Sequence, residues 1–353
     1  MPSLSAFRKY QKKHPHYIRR FLSDICHIWW WILSGEKIIV LTAESGGLGD
    51  YLWIRSYYKP IREYYIPQKC RIIVIGMVQW EPFVYEMDAD PSRDHFDIYR
   101  AFESPDNPLK IEALLFKLFQ ADVFVNFREK HLYGLVKAKE YYSGKGCKKT
   151  MEHYETANNK VISKWFPLKE NFCHRPPLLP VKDLSRAPAL DAPYVVLAEK
   201  GNTQGRLTDE QTITIVRVII SQGFNIFFNG EYKRLINNLS KHNINNSSSQ
   251  IIDGYSYPLI EYPTIVNNCK YVVTVNTFIY HLAIQLKKQC VVMSANEYES
   301  VKLDAPNQII LFNKELQQAY ECNELNKYVF NNSVGLKDIE SNRISDAIQR
   351  INK

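Results

Sequence analysis

The chain has 353 residues, 45% of them hydrophobic and 23% charged, the make-up of an ordinary globular protein; disorder is excluded, and the length calls for two domains. Its formal net charge of +8 is lopsided, because Arg8, Lys9, Lys12, Lys13, Arg19 and Arg20 all precede the first acid, Asp24, and removing those six cations leaves +2 for the remainder. A nucleic-acid-binding surface spread over the fold is thereby excluded, and the basic N-terminal arm is expected to meet an anionic membrane surface.

From Pro15 to Leu33, Ile18, Phe21, Leu22, Ile25, Ile28, Trp29, Ile32 and Leu33 recur at helical spacing, which predicts an amphipathic helix behind the basic arm. Trp29, Trp30 and Trp31 in succession cannot all face one core. Two readings stand: a peripheral membrane contact at the headgroup layer, or a helix packed on the first domain with one or two tryptophans exposed. No stretch approaches the roughly 20 apolar residues that cross a bilayer, and Ile28–Leu33 lacks a following cleavage site, so the expected location is the cytoplasm, with the arm possible as a peripheral contact on the inner face of the membrane.

Lys37–Leu41 has the form of a buried parallel strand, followed by the turn Ser45-Gly46-Gly47-Leu48-Gly49-Asp50 and a helix expected from about Asp50 to Tyr65. Arg71–Ile75 supplies a second strand after Pro67, completing a βαβ unit, and Asp122–Asn126 is a later strand of the same sheet. Pro176, Pro177, Pro180, Pro188 and Pro193 mark an extended junction. A second series follows: strand Tyr194–Ala198, helix Thr208–Gln222 opened by a Thr208/Gln211 capping box, strand Phe224–Phe228, helix Glu231–His242, strand Tyr271–Val275, helix His281–Leu286 and strand Cys290–Met293. A last helix, from about Leu336 to Ile351, is expected to pack back across the junction. The domain boundaries are accordingly 1–36 for the arm and its helix, 37–180 and 181–335 for two Rossmann-like domains, and 336–353 for the final helix. Cys26, Cys70, Cys147, Cys173, Cys269, Cys290 and Cys322 lie far apart with no Cys-x-x-Cys pair, so reduced thiols are expected and neither a zinc site nor a disulfide framework is.

Two loops carry chemistry: the glycine turn just named, and Asn276-Thr277-Phe278-Ile279-Tyr280-His281, about 230 residues later. Each stands between a strand and a helix, where α/β proteins present backbone N–H groups to ligands, and one in each half suggests a cleft between two domains. This order, with a proline-rich link between, resembles the GT-B glycosyltransferases. More narrowly it resembles the lipopolysaccharide heptosyltransferase family, whose first strand precedes a Gly-x-x-Gly-Asp turn, here Gly46, Gly47, Gly49 and Asp50, and whose last βα turn reads Asp-(Ser/Thr)-Gly-x-x-His. Thr277 and His281 match that last turn; Asn276 stands where an aspartate is expected and Phe278 where a glycine is.

The resemblance, which covers roughly residues 37 to 295, implies an α/β protein with two Rossmann-like domains facing each other across a cleft. It implies inverting, metal-independent transfer from a nucleotide-sugar donor, ADP-heptose in the named family, to a lipopolysaccharide or other lipid-linked glycan, with no cofactor. Asp50 is the candidate base for the acceptor hydroxyl, although an aspartate there equally suits capping of the next helix. Thr277, the N–H groups behind it and His281 are candidates for the diphosphate; Arg206, with Lys200 in reserve, takes the place of a family lysine, and Asn276 belongs to the same loop. Glu231, in Asn229-Gly230-Glu231, occupies the position of a ribose-contacting acid. Tyr51 and Trp53 are candidates to border an acceptor sugar. The altered last turn keeps open two alternatives, a non-catalytic sugar-nucleotide or glycan binder and a sugar-nucleotide epimerase.

Overall fold

Runs of Val, Ile and Phe bounded by turns become the strands of two parallel sheets in the computed structural model. The structure describes residues 17–42, 48–54, 57–65, 69–77, 96–102, 117–127, 136–143, 163, 193–201, 205–244, 249–295, 305–324 and 335–352. They fall into two units, the described residues up to 163 in the first and those from 193 in the second. Pro176, Pro177, Pro180 and Pro188 of the proline-rich junction lie outside them.

Among the described residues the first unit has helix α1 (Tyr17–Leu33) and strands β1 (Lys37–Thr42), β2 (Cys70–Met77), β3 (Ile98–Phe102), β4 (Ala121–Asn126) and β5 (Ala138–Ser143), with α2 (Leu48–Ile54) and α3 (Tyr58–Tyr64) between β1 and β2. All neighbours pair parallel in the order β3-β2-β1-β4-β5, Ile39 standing opposite both Ile72 and Val123. Alternate residues serve opposite faces. Ile38, Val40, Ile73, Ile75, Ile98 and Phe124 form one core with Phe21, Ile28 and Trp31 of α1. The expected single helix from Asp50 to Tyr65 is instead two short ones. Tyr57 and Tyr58, at the second start, are both fully buried, Tyr57 stacked on Phe127 at 5.0 Å and Tyr58 edge-on to Phe96 at 6.4 Å. Two large aromatic anchors in a row decide where that helix begins.

The N-terminal helix packs on the first unit with two tryptophans outward: Trp31 is buried, while Trp29 and Trp30 are 46% and 68% exposed. A strand with an arginine in its middle, β3, had no clear signature. Arg100 is tolerated there because its guanidinium meets Asp24 of α1 at 2.6 Å and lies over the Phe21 ring.

The second unit has β6 (Tyr194–Ala198), a small antiparallel hairpin of β7 (Lys200–Gly201) and β8 (Gly205–Arg206), then α4 (Asp209–Ser221), β9 (Asn225–Asn229), α5 (Tyr232–Lys241), β10 (Ile251–Asp253), α6 (Tyr262–Asn268), β11 (Val272–Val275), α7 (Phe278–Gln285), β12 (Cys290–Ser294), β13 (Gln308–Phe312), α8 (Lys314–Glu321) and α9 (Ser341–Ile351). The main sheet is parallel in the order β10-β9-β6-β11-β12-β13. Counted within the unit this is 3-2-1-4-5-6, the dinucleotide-fold order.

The capping box at Thr208 forms as expected, with Gln211 N donating to Thr208 Oγ1 and Gln211 Oε1 accepting from Thr208 N. The Gln211 amide also donates to the carbonyls of Leu336 and Ile339, which fastens the chain just before α9. Ile344, Ala347, Ile348 and Ile351 then join the core of α4, β6 and β12, so the last helix, expected as a separate segment, is part of the second unit's core. The described cysteines are free thiols, Cys70, Cys269 and Cys290 buried and Cys26 and Cys322 exposed; Cys147 and Cys173 lie outside the described residues.

Candidate functional site

In the second sheet the strand order reverses between β6 and β11, and ligands of such sheets bind outside the carboxyl ends of the strands at that point. Glu199, Lys200 and Gly201 follow β6 there, and Asn276 and Thr277 follow β11. The two turns touch: a β-carbon at Gly201 would lie 2.9 Å from the Asn276 carbonyl oxygen and 3.3 Å from Thr277 Cγ2. Gly201 was not singled out in the sequence, since its need for a bare backbone arises from a loop some 75 residues away.

Thr277 is the N-cap of α7. Its extended backbone turns the chain into the helix, and its hydroxyl accepts from Ile279 N at 3.1 Å while lying 3.2 Å from Thr274 Oγ1. Helix α7 starts at Phe278, earlier than expected, so His281 stands one turn in, half-buried and edge-on to Tyr280. Asn276 is buried, its N–H donating to the Met293 carbonyl at 3.1 Å. The positive end of the α7 dipole and the first-turn N–H groups thus meet the edge where Lys200 stands.

Lys200 pairs with Arg206 across the hairpin, so both side chains leave the same face. Gly205 has φ +80°, a backbone that other residues rarely adopt. Arg206 is already engaged, its guanidinium 2.7 Å from the Glu231 carboxylate. Glu231 stands at the N-cap of α5 rather than within it, makes no capping bond with its side chain, and also lies 3.6 Å from Arg234 Nε. The structure therefore brings Gly201, next to Lys200, to Asn276 and Thr277, and joins Arg206 to Glu231.

The functional candidate that sequence reasoning missed is Glu199. Its side chain is 0% exposed, its Oε1 accepts from Glu231 N at 3.0 Å, and its Oε2 takes the guanidinium of Arg234 at 2.5 Å. Arg234 in turn reaches Asp209 at the start of α4. A β-carbon at Gly230 would fall 2.5 Å from Glu199 Cγ, so the carboxylate and the turn fit only because residue 230 is glycine. Tyr262 Oη, 3.2 Å from Asn229 Oδ1 and 3.0 Å from the Gly254 carbonyl, holds the same turn from the other side; burial pushes this phenol up, so it keeps its proton as a donor.

In the first unit Gly46 and Gly47 lie outside the described residues. Gly49 and Asp50 are the second and third residues of α2, so the helix takes in the end of the expected glycine turn and Asp50 lies in its first turn rather than ahead of it. The side chains of Asp50 and Trp53 are outside the described set. Tyr51 is buried, edge-on to Tyr99 at 6.4 Å, and is a core residue rather than a border for an acceptor.

No protein-family model and no curated protein matches the chain. Solved structures do. A glycosyl transferase family 9 structure from Veillonella parvula matches with a TM-score of 0.65 at 13% identity, over 90% of this chain and 97% of that one. The fold is GT-B. Escherichia coli heptosyltransferase WaaC with ADP matches with a TM-score of 0.60 at 11% identity, over 89% and 99% of the two chains. E. coli ADP-heptose lipopolysaccharide heptosyltransferase II gives 0.60 at 15% identity, over 90% and 98%. Likeness at this identity establishes the shared α/β architecture along nearly the whole chain.

Proposed function

We propose that the protein is a glycosyltransferase that moves a sugar, hexose or heptose, from a nucleotide-sugar donor to a lipopolysaccharide-type or other lipid-linked glycan, with inversion and without a metal, at the inner face of the cytoplasmic membrane. The observation that carries this reading is the meeting of Gly201, Asn276 and Thr277 at the switch point of a dinucleotide-type sheet. A diphosphate there gains the α7 N–H groups and dipole, and Lys200, next to Gly201, is the proposed cation. Likeness in fold to heptosyltransferases, one of them holding ADP, supports the same class of donor.

The roles follow from the partners already made. Lys200 takes precedence over Arg206 as the phosphate cation, because Arg206 is bound to Glu231. That pair borders the ribose end, where Glu231 offers a carboxylate held by Arg206 and near Arg234. His281 donates to a phosphate oxygen one turn into α7. Asp50, in the first turn of α2, removes the acceptor proton as the sugar is displaced from the diphosphate. The altered residues Asn276 and Phe278 set which sugar fits.

The test is a thermal-shift series with ADP-, GDP-, UDP- and CMP-sugars, followed by turnover and donor affinity of Asp50→Asn. A rise in melting temperature with one nucleotide class is expected, and a fall in turnover of about 10²-fold or more with donor affinity unchanged. No shift with any donor, or full turnover in the variant, would overturn the respective parts of the reading.

A further inference from the structure

Helix α1 has two apolar faces. Phe21, Ile28 and Trp31 are buried in the first unit's core, and the opposite face carries Leu22, Cys26, Trp29, Trp30 and Leu33 at i, i+4, i+7, i+8 and i+11. That second stripe is open to solvent, Leu22 at 55% and Leu33 at 78% exposed beside the two tryptophans. Single exposed apolar residues are common, but a continuous stripe with two adjacent indoles needs a partner.

Charge decides which partner. The one acid of α1, Asp24, is turned inward and paired with Arg100, so this outer face presents no carboxylate. The residues leading into it carry the six cations from Arg8 to Arg20 and no acid. No described helix is long and apolar enough to cross a membrane. An amphipathic element lying in the interface, with tryptophan at the headgroup level and lysine and arginine beside it, has this make-up, and stable attachment takes two such signals together.

We infer that the outward face of α1 is the membrane-docking surface: Leu22, Trp29, Trp30 and Leu33 enter the headgroup layer of an anionic bilayer while the preceding cations bind its lipid phosphates. This rests on the reading of the chain as an enzyme of a membrane-borne acceptor, and it names the element that brings it there. A core-packed helix with a second apolar face lies flat on the bilayer without leaving the fold.

The experiment is co-sedimentation of the full chain with phosphatidylcholine vesicles and with mixed phosphatidylcholine–phosphatidylglycerol vesicles, without donor or acceptor. Expected are partition into the anionic vesicles, quenching of tryptophan fluorescence by brominated lipid, and a fall in partition of about tenfold or more both in Trp29→Ser/Trp30→Ser and in a variant with Arg8, Lys9, Lys12 and Lys13 all changed to Gln. Because Trp29 and Trp30 lie outside the core, melting temperature and its shift with nucleotide sugar should be unchanged. A wild-type chain that ignores anionic vesicles, or a double tryptophan variant that binds them as tightly as wild type, would overturn the proposal. So would a dimer in sedimentation equilibrium that the same double substitution makes monomeric, since a second copy would then cover the face. A lost nucleotide shift in the wild type bears on the glycosyltransferase reading alone.

Discussion

Each unit buries a charge and pairs it with an opposite one, and the two pairs sit in different places. In the first unit the buried group is Arg100, its side chain 2% exposed, in the middle of β3 and bound to Asp24 of α1. In the second it is Glu199, just past the carboxyl end of β6, bound to Arg234 of α5 and to the backbone of Glu231. A charge in mid-strand can only fasten what packs on the sheet's face. A charge at the carboxyl edge fixes the turns to which a ligand comes, so the first pair is expected to hold a helix and the second to shape a site.

The largest effect expected from this contrast is Asp24→Ala. It leaves a deeply buried guanidinium without its carboxylate, a loss on the order of 3–5 kcal/mol, measured by chemical denaturation. Nucleotide-sugar affinity of the folded variant should equal that of wild type, and a changed affinity would break the comparison. Next is Glu199→Gln, which retains an acceptor for Glu231 N but removes the charge that Arg234 faces. A loss of about 1–3 kcal/mol is expected, and with it roughly tenfold weaker donor binding, as a 1.4 kcal/mol displacement of the Asn229–Glu231 turn would give. Unaltered affinity in a calorimetric titration would reduce Glu199 to a packing residue.

The same contrast explains what could be read from the chain. Lys37–Leu41, Tyr194–Ala198, Tyr271–Val275 and Cys290–Met293 were legible as strands because strands buried on both faces are continuous apolar runs. Strand β3 was not, since Arg100 interrupts its pattern and is explained by groups far away in sequence, Asp24 foremost, 76 positions earlier. Strands β5 and β10, an edge strand with two adjacent charged residues, Lys139 and Glu140, and a three-residue strand, are too weak as patterns. At the site, Thr277 and its following helix could be found because an N-cap is local chemistry. Glu199 could not: beside Lys200 it has the look of a solvated loop acid, and its burial depends on Gly230 and Arg234. Likewise the choice between Lys200 and Arg206 turns on Glu231, which the spacing alone does not relate to either.

The smallest effect tests the amino-terminal edge, opposite to the one where ligands bind. Asp122, at the start of β4, accepts from Ile38 N at 2.9 Å and from Lys139 Nζ at 2.7 Å, with Lys37 Nζ at 3.5 Å. Burial acts to raise its pKa, but these hydrogen bonds and the two ammonium groups outweigh it and hold the carboxyl below its ordinary 3.8. A depressed folded pKa means stability present above the unfolded value and lost as pH falls through the folded one. Asp122→Asn should therefore cost about 1 kcal/mol at pH 7, discounted for the partly exposed lysines, with the gap from wild type closing only below about pH 4. Urea unfolding at pH 7, 5 and 3 measures it. Donor affinity should not change, because this carboxylate stitches β1 to β4 at the edge away from any ligand; a variant that lost affinity as Glu199→Gln does would mean that position along the strand is not what separates a structural charge from a functional one.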